Sequence, residues 1–406
     1  MNHLTGILFV VLITLLFSDA IYAQDRHRVR DLGITPGILS PGPLNAITDV
    51  KGVMVGHLTR IEGDGIRTGV TAILPHDGNL FRDRVPAAVY VGNGFGKALG
   101  FTQVQELGEL ETPLALTNTL SIFDVAKGVA DYVLNQPGNE NVRSVNPVVG
   151  ETNDGYLNDI RARVLTTDDV YSAIEAASSG PVAEGNVGAG TGTRALGYKA
   201  GIGTSSRRLP ESRGGYTVGV LVQSNFGGIL TVNGAPVGEE LGNHYMSGDV
   251  PYELSLNSDS KSRQSTRSVQ STDGYDYDVD GSIMIVVATD APLTSRNLER
   301  LAKRAIMGVA RTGGFASNGS GDYVIAFSTH DDVRRAIDSD EDTIDRTELT
   351  NSAMSPLFLA TVEATEEAIL NSLFMAEPMT GHDGNEMDAL PTDEVMEIMK
   401  EYNKVD

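Results

Sequence analysis

Two unbroken apolar runs, SIMIVVAT from Ser282 and DYVIAFST from Asp322, constrain this chain more than any other feature. A strand without polar alternation is buried on both faces, so it belongs in a sheet covered above and below. The cover is present in the sequence. In TSRNLERLAKRAIMGVAR, Leu298, Leu301, Ala302, Ala305 and Val309 form one helical stripe, and Gly313-Gly314 supplies a stop. SPLFLATVEATEEAILNSLFMAE reads as a second, long helix. Strands packed between helices predict an α/β (α+β) layered domain.

The upstream part fits the same plan. GVMVGH, GVTAIL, AAVYVGN and TPLALTN are short β-like runs between turn residues, and YTVGVLVQSN and GILTVNG read as further strands. SIFDVAKGVADYVL places Ile122, Val125, Ala126, Val129 and Val133 on one helical face. TTDDVYSAIEAASS is another helix, with Thr or Asp in the capping region. The Pro/Gly-rich arm ahead of Gly52 is expected to lie across the surface. Val237 to Gly281 is polar and reads as a loose processing loop, and an acidic tail closes the chain. No internal repeat or composition shift marks a boundary, so one domain is expected.

Composition narrows the function. A net charge of −23 argues against nucleic acid and anionic membrane as partners. With no cysteine, disulfides, thiolate metal sites and a Cys nucleophile are excluded, and 406 residues must hold together by core burial. The opening MNHLTGILFVVLITLLFSDAIYAQ has an apolar run from Ile7 to Phe17, then small residues ending at Ala23. That run is short for a membrane span and fits a signal peptide over residues 1–23, with export to the periplasm or beyond.

Common catalytic patterns are missing. His3, His27, His57, His76, His244, His330 and His382 show no metal-ligand spacing, so no metal is expected. EGNVGAGTGTRALGYKAGIGTSSR is rich in glycine but lacks a nucleotide-binding pattern. There is no G-x-S-x-G elbow, and His330 in FSTHDD is a weak base candidate. Gly281-Ser282, at the lip of the SIMIVVAT strand, admits two readings. One is a loop ending where a strand begins. The other is a self-cleavage site: cutting Gly281–Ser282 would give Ser282 an α-amino group beside its own hydroxyl. Such an amine has a pKa of roughly 7.7–8.0 and can take the hydroxyl proton near neutrality.

DGSIMIVVATDAPL resembles the start of the β-chain in the L-aminopeptidase/D-esterase (DmpA-like) family. Its members are self-processing N-terminal-nucleophile hydrolases and include the β-peptidyl aminopeptidases. AITDVKGVMVGH, TGVTAILP, VGNGFGK, VGETNDGYLND, EGNVGAGTGT, GIGTSSR, LVQSNFG, GSGDYVIAFST and ATEEAILNSLFMAE follow in the order expected of that family. The resemblance runs from about Gly33 to Gly384.

That resemblance implies a four-layer αββα sandwich, cleaved at Gly281–Ser282 into an α-chain (24–281) and a β-chain (282–406). It implies Ser282 as nucleophile and Asn225 as oxyanion donor. Ser320 and Asp322 would orient the new amino terminus, with aspartate where the family usually carries glutamate. Glu151 would hold the substrate's free ammonium, and Tyr156 would line the same pocket. No cofactor is implied. The substrates would be small peptides, amino-acid amides or esters, and the cleaved pair would assemble as a homo-oligomer. Alternatives are a related acyl or aminoacyl transferase or amidase, and an exported binding protein that never processes. N-terminal sequencing of the exported protein is expected to begin at Gln24; a start within residues 1–23 would overturn the signal assignment.

Overall fold

The computed structural model describes residues 26–247, 281–337 and 342–405, so the stretch expected to be a signal peptide, residues 1–23, and residues 248–280 of the polar stretch lie outside the described residues. Two sheets form its centre. One runs in the order Met54–Glu62, Ile66–Leu74, Leu114–Asn118, Val148–Thr152, Ala98–Leu99. The other runs Ile202–Arg208, Thr217–Asn225, Ser282–Thr289, Gly321–Ser328, Asp83–Gly94, with the short Arg335–Ala336 strand beyond. Both apolar runs lie inside this second sheet, parallel to each other, connected by the Ser295–Arg311 helix.

Side-chain alternation produces the layers. Along the Ser282 strand, Met284, Val286 and Ala288 face the other sheet, where they pack with Ile73, Leu114, Leu116 and Val148. Ile283, Ile285 and Val287 face outward onto Leu298, Leu301, Ala364 and Ala368 of the Ser295–Arg311 and Met354–Phe374 helices. The outer face of the first sheet is covered by Ile122, Val125 and Val129 of the Ile122–Leu134 helix and by Val170 and Ala173 of Thr167–Glu175. The order is helix, sheet, sheet, helix: an αββα sandwich. The expected apolar stripes on Ile122–Leu134 and Ser295–Arg311 are the buried ones. At the start of the Thr167–Glu175 helix, Asp169 Oδ2 accepts from the Thr166 backbone N–H at 2.8 Å and from its hydroxyl at 2.9 Å.

Several expectations are corrected. GILTVNG is not a strand: the Ile229 and Thr231 amides bond to the carbonyls of Gly313 and Thr312 beyond a helix, so no ladder forms. The arm does not lie on the surface. Val29, Ile34 and Ile47 are fully buried, and Arg30 pairs with Glu367 at 2.8 Å. The polar stretch opens with a short helix, Val237–Glu240, whose Val237 is buried. The acidic tail contains the helix Thr392–Glu401, which buries Val395, Ile398 and Met399.

One polar side chain links the sheets through their apolar interior. Gln223 Nε2 donates to Thr117 O at 3.0 Å, Thr152 Oγ1 at 2.9 Å and Ala189 O at 2.9 Å. Replacing it with leucine strands buried acceptors, each costing about 1–3 kcal/mol. Gln223→Leu is therefore expected to lower the urea midpoint measurably; an unchanged midpoint would show that the link is energetically idle.

Candidate active site

The register of three neighbouring strands assembles the centre of the site. Ser282 is the first residue of its strand, directly opposite Asn225 on the antiparallel side and level with Gly321 on the parallel side. Residues facing each other across an antiparallel pair carry their side chains on one face, with Cβ atoms about 4.5–5.5 Å apart. Asn225 and Ser282 thus share the face toward the other sheet. The Asn225 amide is oriented by the Arg194 backbone N–H, which donates to Oδ1 at 3.2 Å and leaves Nδ2 as the half that can donate.

Ser282 Oγ is fixed at two points. It donates to the Gly281 carbonyl oxygen at 2.6 Å and accepts from Gly321 N–H at 3.2 Å. The same Gly321 N–H reaches the Gly281 carbonyl oxygen at 3.1 Å. The Gly281–Ser282 peptide therefore has a hydroxyl beside it and an amide donor on its oxygen. Both glycines are required by close approach. A Cβ at 281 would lie 2.0 Å from the Asn225 carbonyl oxygen, and one at 321 would lie 2.7 Å from the Phe95 carbonyl oxygen.

Ser320 and Asp322 are brought together, as their spacing predicts: Ser320 Oγ donates to Asp322 Oδ1 at 2.7 Å. Alternation sends Asp322 to the helix-facing side with Val324 and Ala326, whereas Ser282 Oγ is on the inter-sheet side. Asp322 thus flanks the backbone of the Ser282 strand, level with Ile283, and no side-chain hydrogen bond among the described residues joins it to the Ser282 hydroxyl. Its Oδ2 is buried without a hydrogen-bond partner among the described residues. Burial pushes the carboxyl up to about 6, against the Ser320 bond, which pulls it down.

Glu151 is the penultimate residue of the Val148–Thr152 strand of the other sheet and is 2% exposed. Its Oε1 accepts from the Lys97 backbone N–H at 2.8 Å, and Oε2 accepts from the Thr119 hydroxyl. Burial raises its pKa, and these two donors and the Lys97 ammonium oppose the rise. The Tyr323 ring lies between Glu151 and Ser282. A Cβ built on Gly96 would be 3.2 Å from both Glu151 Oε1 and Tyr323 Cε2, and one on Gly321 would be 2.9 Å from Tyr323 Cε2 and 3.2 Å from Ser282 Oγ. Tyr156 is placed differently from Glu151. Its ring lies under the Arg194 guanidinium at 4.3 Å, and its hydroxyl points to Glu386 O at 3.4 Å.

Sequence reasoning missed Thr119, Gln223, Gly321 and Tyr323 as site builders, although each lies within or beside a motif singled out above. Their roles follow from backbone amides and cross-sheet contacts, which no residue pattern encodes. It also missed two buried ionisable groups, Asp154 and Lys199, which influence one another electrostatically. Asp154, three residues after Glu151, accepts from Thr68 and Asn158, and burial pushes it up to about 7. Lys199 is fully buried, donates to the Gly190 and Ala200 carbonyls, and is pushed down to about 7 by burial.

Comparison with known proteins gives the family and the fold. Residues 45–387 match Peptidase family S58. Beta-peptidyl aminopeptidase BapA of Sphingosinicella microcystinivorans is 40% identical over 390 residues, covering 93% of each chain. The solved beta-aminopeptidase of a Burkholderia species superposes with a TM-score of 0.80 at 39% identity, over 92% of this chain and 99% of the other. The L-aminopeptidase D-Ala-esterase/amidase of Ochrobactrum anthropi, described as a prototype serine aminopeptidase and a variant of the Ntn hydrolase fold, also gives 0.80, at 34% identity over 93% and 99%. With its αββα sandwich and a family match over most of its length, this chain belongs to peptidase family S58.

Proposed function

We propose that this protein is a self-processing serine aminopeptidase that removes N-terminal residues from small peptides, amides or esters. The observation that carries this reading is the clamp on Ser282 Oγ, 2.6 Å from the Gly281 carbonyl oxygen and 3.2 Å from Gly321 N–H, with Asn225 opposite. In the first stage Ser282 Oγ bonds to the Gly281 carbonyl carbon. The Gly281–Ser282 C–N bond breaks, the hydroxyl proton passes to the departing nitrogen, and an ester remains. Water then adds to the ester, giving the Gly281 carboxylate and a free Ser282. Negative charge develops on an oxygen that Gly321 N–H already contacts, and a donor of this kind is worth about 2.7–4 kcal/mol.

The cut leaves an α-amino group on Ser282, level with Gly321 and one residue short of the position level with Asp322. Its ammonium form is a counter-ion for that buried carboxylate, and its neutral form is the base for the Ser282 hydroxyl. In the second stage Ser282 Oγ attacks the carbonyl carbon of the substrate's first residue, with the Asn225 amide supporting the oxyanion. The leaving amine takes the proton, and water then cleaves the aminoacyl ester on Ser282, releasing the residue as a free amino acid and restoring the hydroxyl. Glu151 receives the substrate's free ammonium, which restricts attack to chain ends.

Three outcomes are expected. Ser282→Ala leaves one uncut mature chain by mass spectrometry and releases no p-nitroaniline from aminoacyl anilides; residual turnover near wild type would end the proposal. Asn225→Ala lowers kcat by about 10²–10³-fold with processing slowed in parallel. The third outcome concerns stability. Asp322 has its folded pKa raised from 3.8 to about 6, so its contribution to stability is present below about pH 4 and lost as pH rises through about 6. In the uncut Ser282→Ala chain, Asp322→Asn is expected to raise stability at about pH 7.5 by on the order of 3 kcal/mol and to flatten this pH dependence. Urea melts at about pH 4 and 7.5 read both effects, and a loss of stability at the higher pH would contradict the unpaired-carboxylate account.

A further inference from the structure

Phe95, Gly96 and Lys97 join the Asp83–Gly94 strand of one sheet to the Ala98–Leu99 strand of the other, so they form a strap across the mouth of the site. Lys97 meets Glu151 twice. Its backbone N–H donates to Oε1 at 2.8 Å, and its ammonium stands 3.9 Å from the same oxygen. The Lys97 side chain is 41% exposed, whereas the Glu151 side chain beneath it is 2% exposed. The carboxylate is therefore covered, and part of its cover is a primary ammonium on a flexible stem. That is the chemical group a peptide's amino terminus presents.

We propose that Lys97 is a built-in competitor for the substrate's ammonium: it occupies Glu151 in the empty enzyme and yields to solvent when substrate binds. The inference rests on the reading of Glu151 as the ammonium holder. The resident cation sharpens selection. A ligand with a free amine replaces the cation it displaces, whereas an N-blocked ligand would leave Glu151 buried without a counter-ion. Displacement is feasible because the Lys97 side chain is partly exposed and its long stem can swing outward. The backbone N–H bond to Oε1 stays in place throughout, so Glu151 remains aligned.

The test uses the processed enzyme and an aminoacyl p-nitroanilide. Lys97→Met keeps the backbone bond and the apolar stem and removes only the competing charge. Its KM is expected to fall about two- to fivefold, the range that a partly exposed ion pair commands, with the change in KM rather than kcat. A simple alkylammonium such as propylammonium should inhibit Lys97→Met more tightly by a similar factor. Lys97→Arg should raise KM, because a guanidinium can grip the carboxylate through two parallel bonds. If wild type hydrolyses the anilide and Lys97→Met shows an unchanged or higher KM, the competitor role is wrong and the aminopeptidase reading stands. If processed wild type does not hydrolyse aminoacyl anilides at all, that reading fails and the inference fails with it.

Discussion

Everything chemical in this molecule depends on the hydrogen-bonded register that sets Ser282 between an antiparallel neighbour ending at Asn225 and a parallel neighbour beginning at Gly321. A slip of one residue would turn the hydroxyl to the helix side and bring Ile283 to the inter-sheet face. The register is held because Met284, Val286 and Ala288 fill the space between the sheets while Ile283, Ile285 and Val287 fill the space under the helices. A strand with two buried faces has no tolerance for displacement. The apolar run that makes the fold is thus also the ruler that positions the serine.

The charges in the structure divide into two kinds. Arg207, fully buried, is saturated: it pairs with Glu367 at 2.7 Å and Glu363 at 3.3 Å and also donates to backbone carbonyls. That cluster ties an edge strand and the amino-terminal arm to the long Met354–Phe374 helix. Asp322 and Glu151 are different. Asp322 keeps one oxygen without a hydrogen-bond partner among the described residues, and Glu151 has two short-range donors and a cation held at arm's length. A buried carboxylate without a matched cation is costly, and groups perturbed in this way cluster at functional sites.

Legibility from sequence followed physical locality. The strands SIMIVVAT and DYVIAFST and the helices Ile122–Leu134 and Ser295–Arg311 were readable because burial imposes a period on consecutive residues. Ile202–Arg208 was not, since its Thr204, Ser205, Ser206 and Arg207 are polar yet buried, satisfied by the arm and the long helix. VVGET was quoted only as part of a motif, because five residues give too short a window to distinguish strand from turn. Ser320 and Asp322 were placed together correctly by two-residue spacing, but their position on the face opposite the Ser282 hydroxyl required the sheet.

By itself, the sequence determined that strands must be covered on both sides, that no thiol chemistry is available, and that the Gly281-Ser282 step stands at the mouth of a buried strand. These are properties of residue type and short-range order. Only the tertiary structure decided which amide meets which oxygen: Gly321 N–H on the Gly281 carbonyl, Arg194 N–H on Asn225, Lys97 N–H on Glu151. Each of those bonds joins segments separated by dozens of residues. Their geometry is set by how two sheets and their connecting strap pack, and backbone donors carry no signature in a string of side chains.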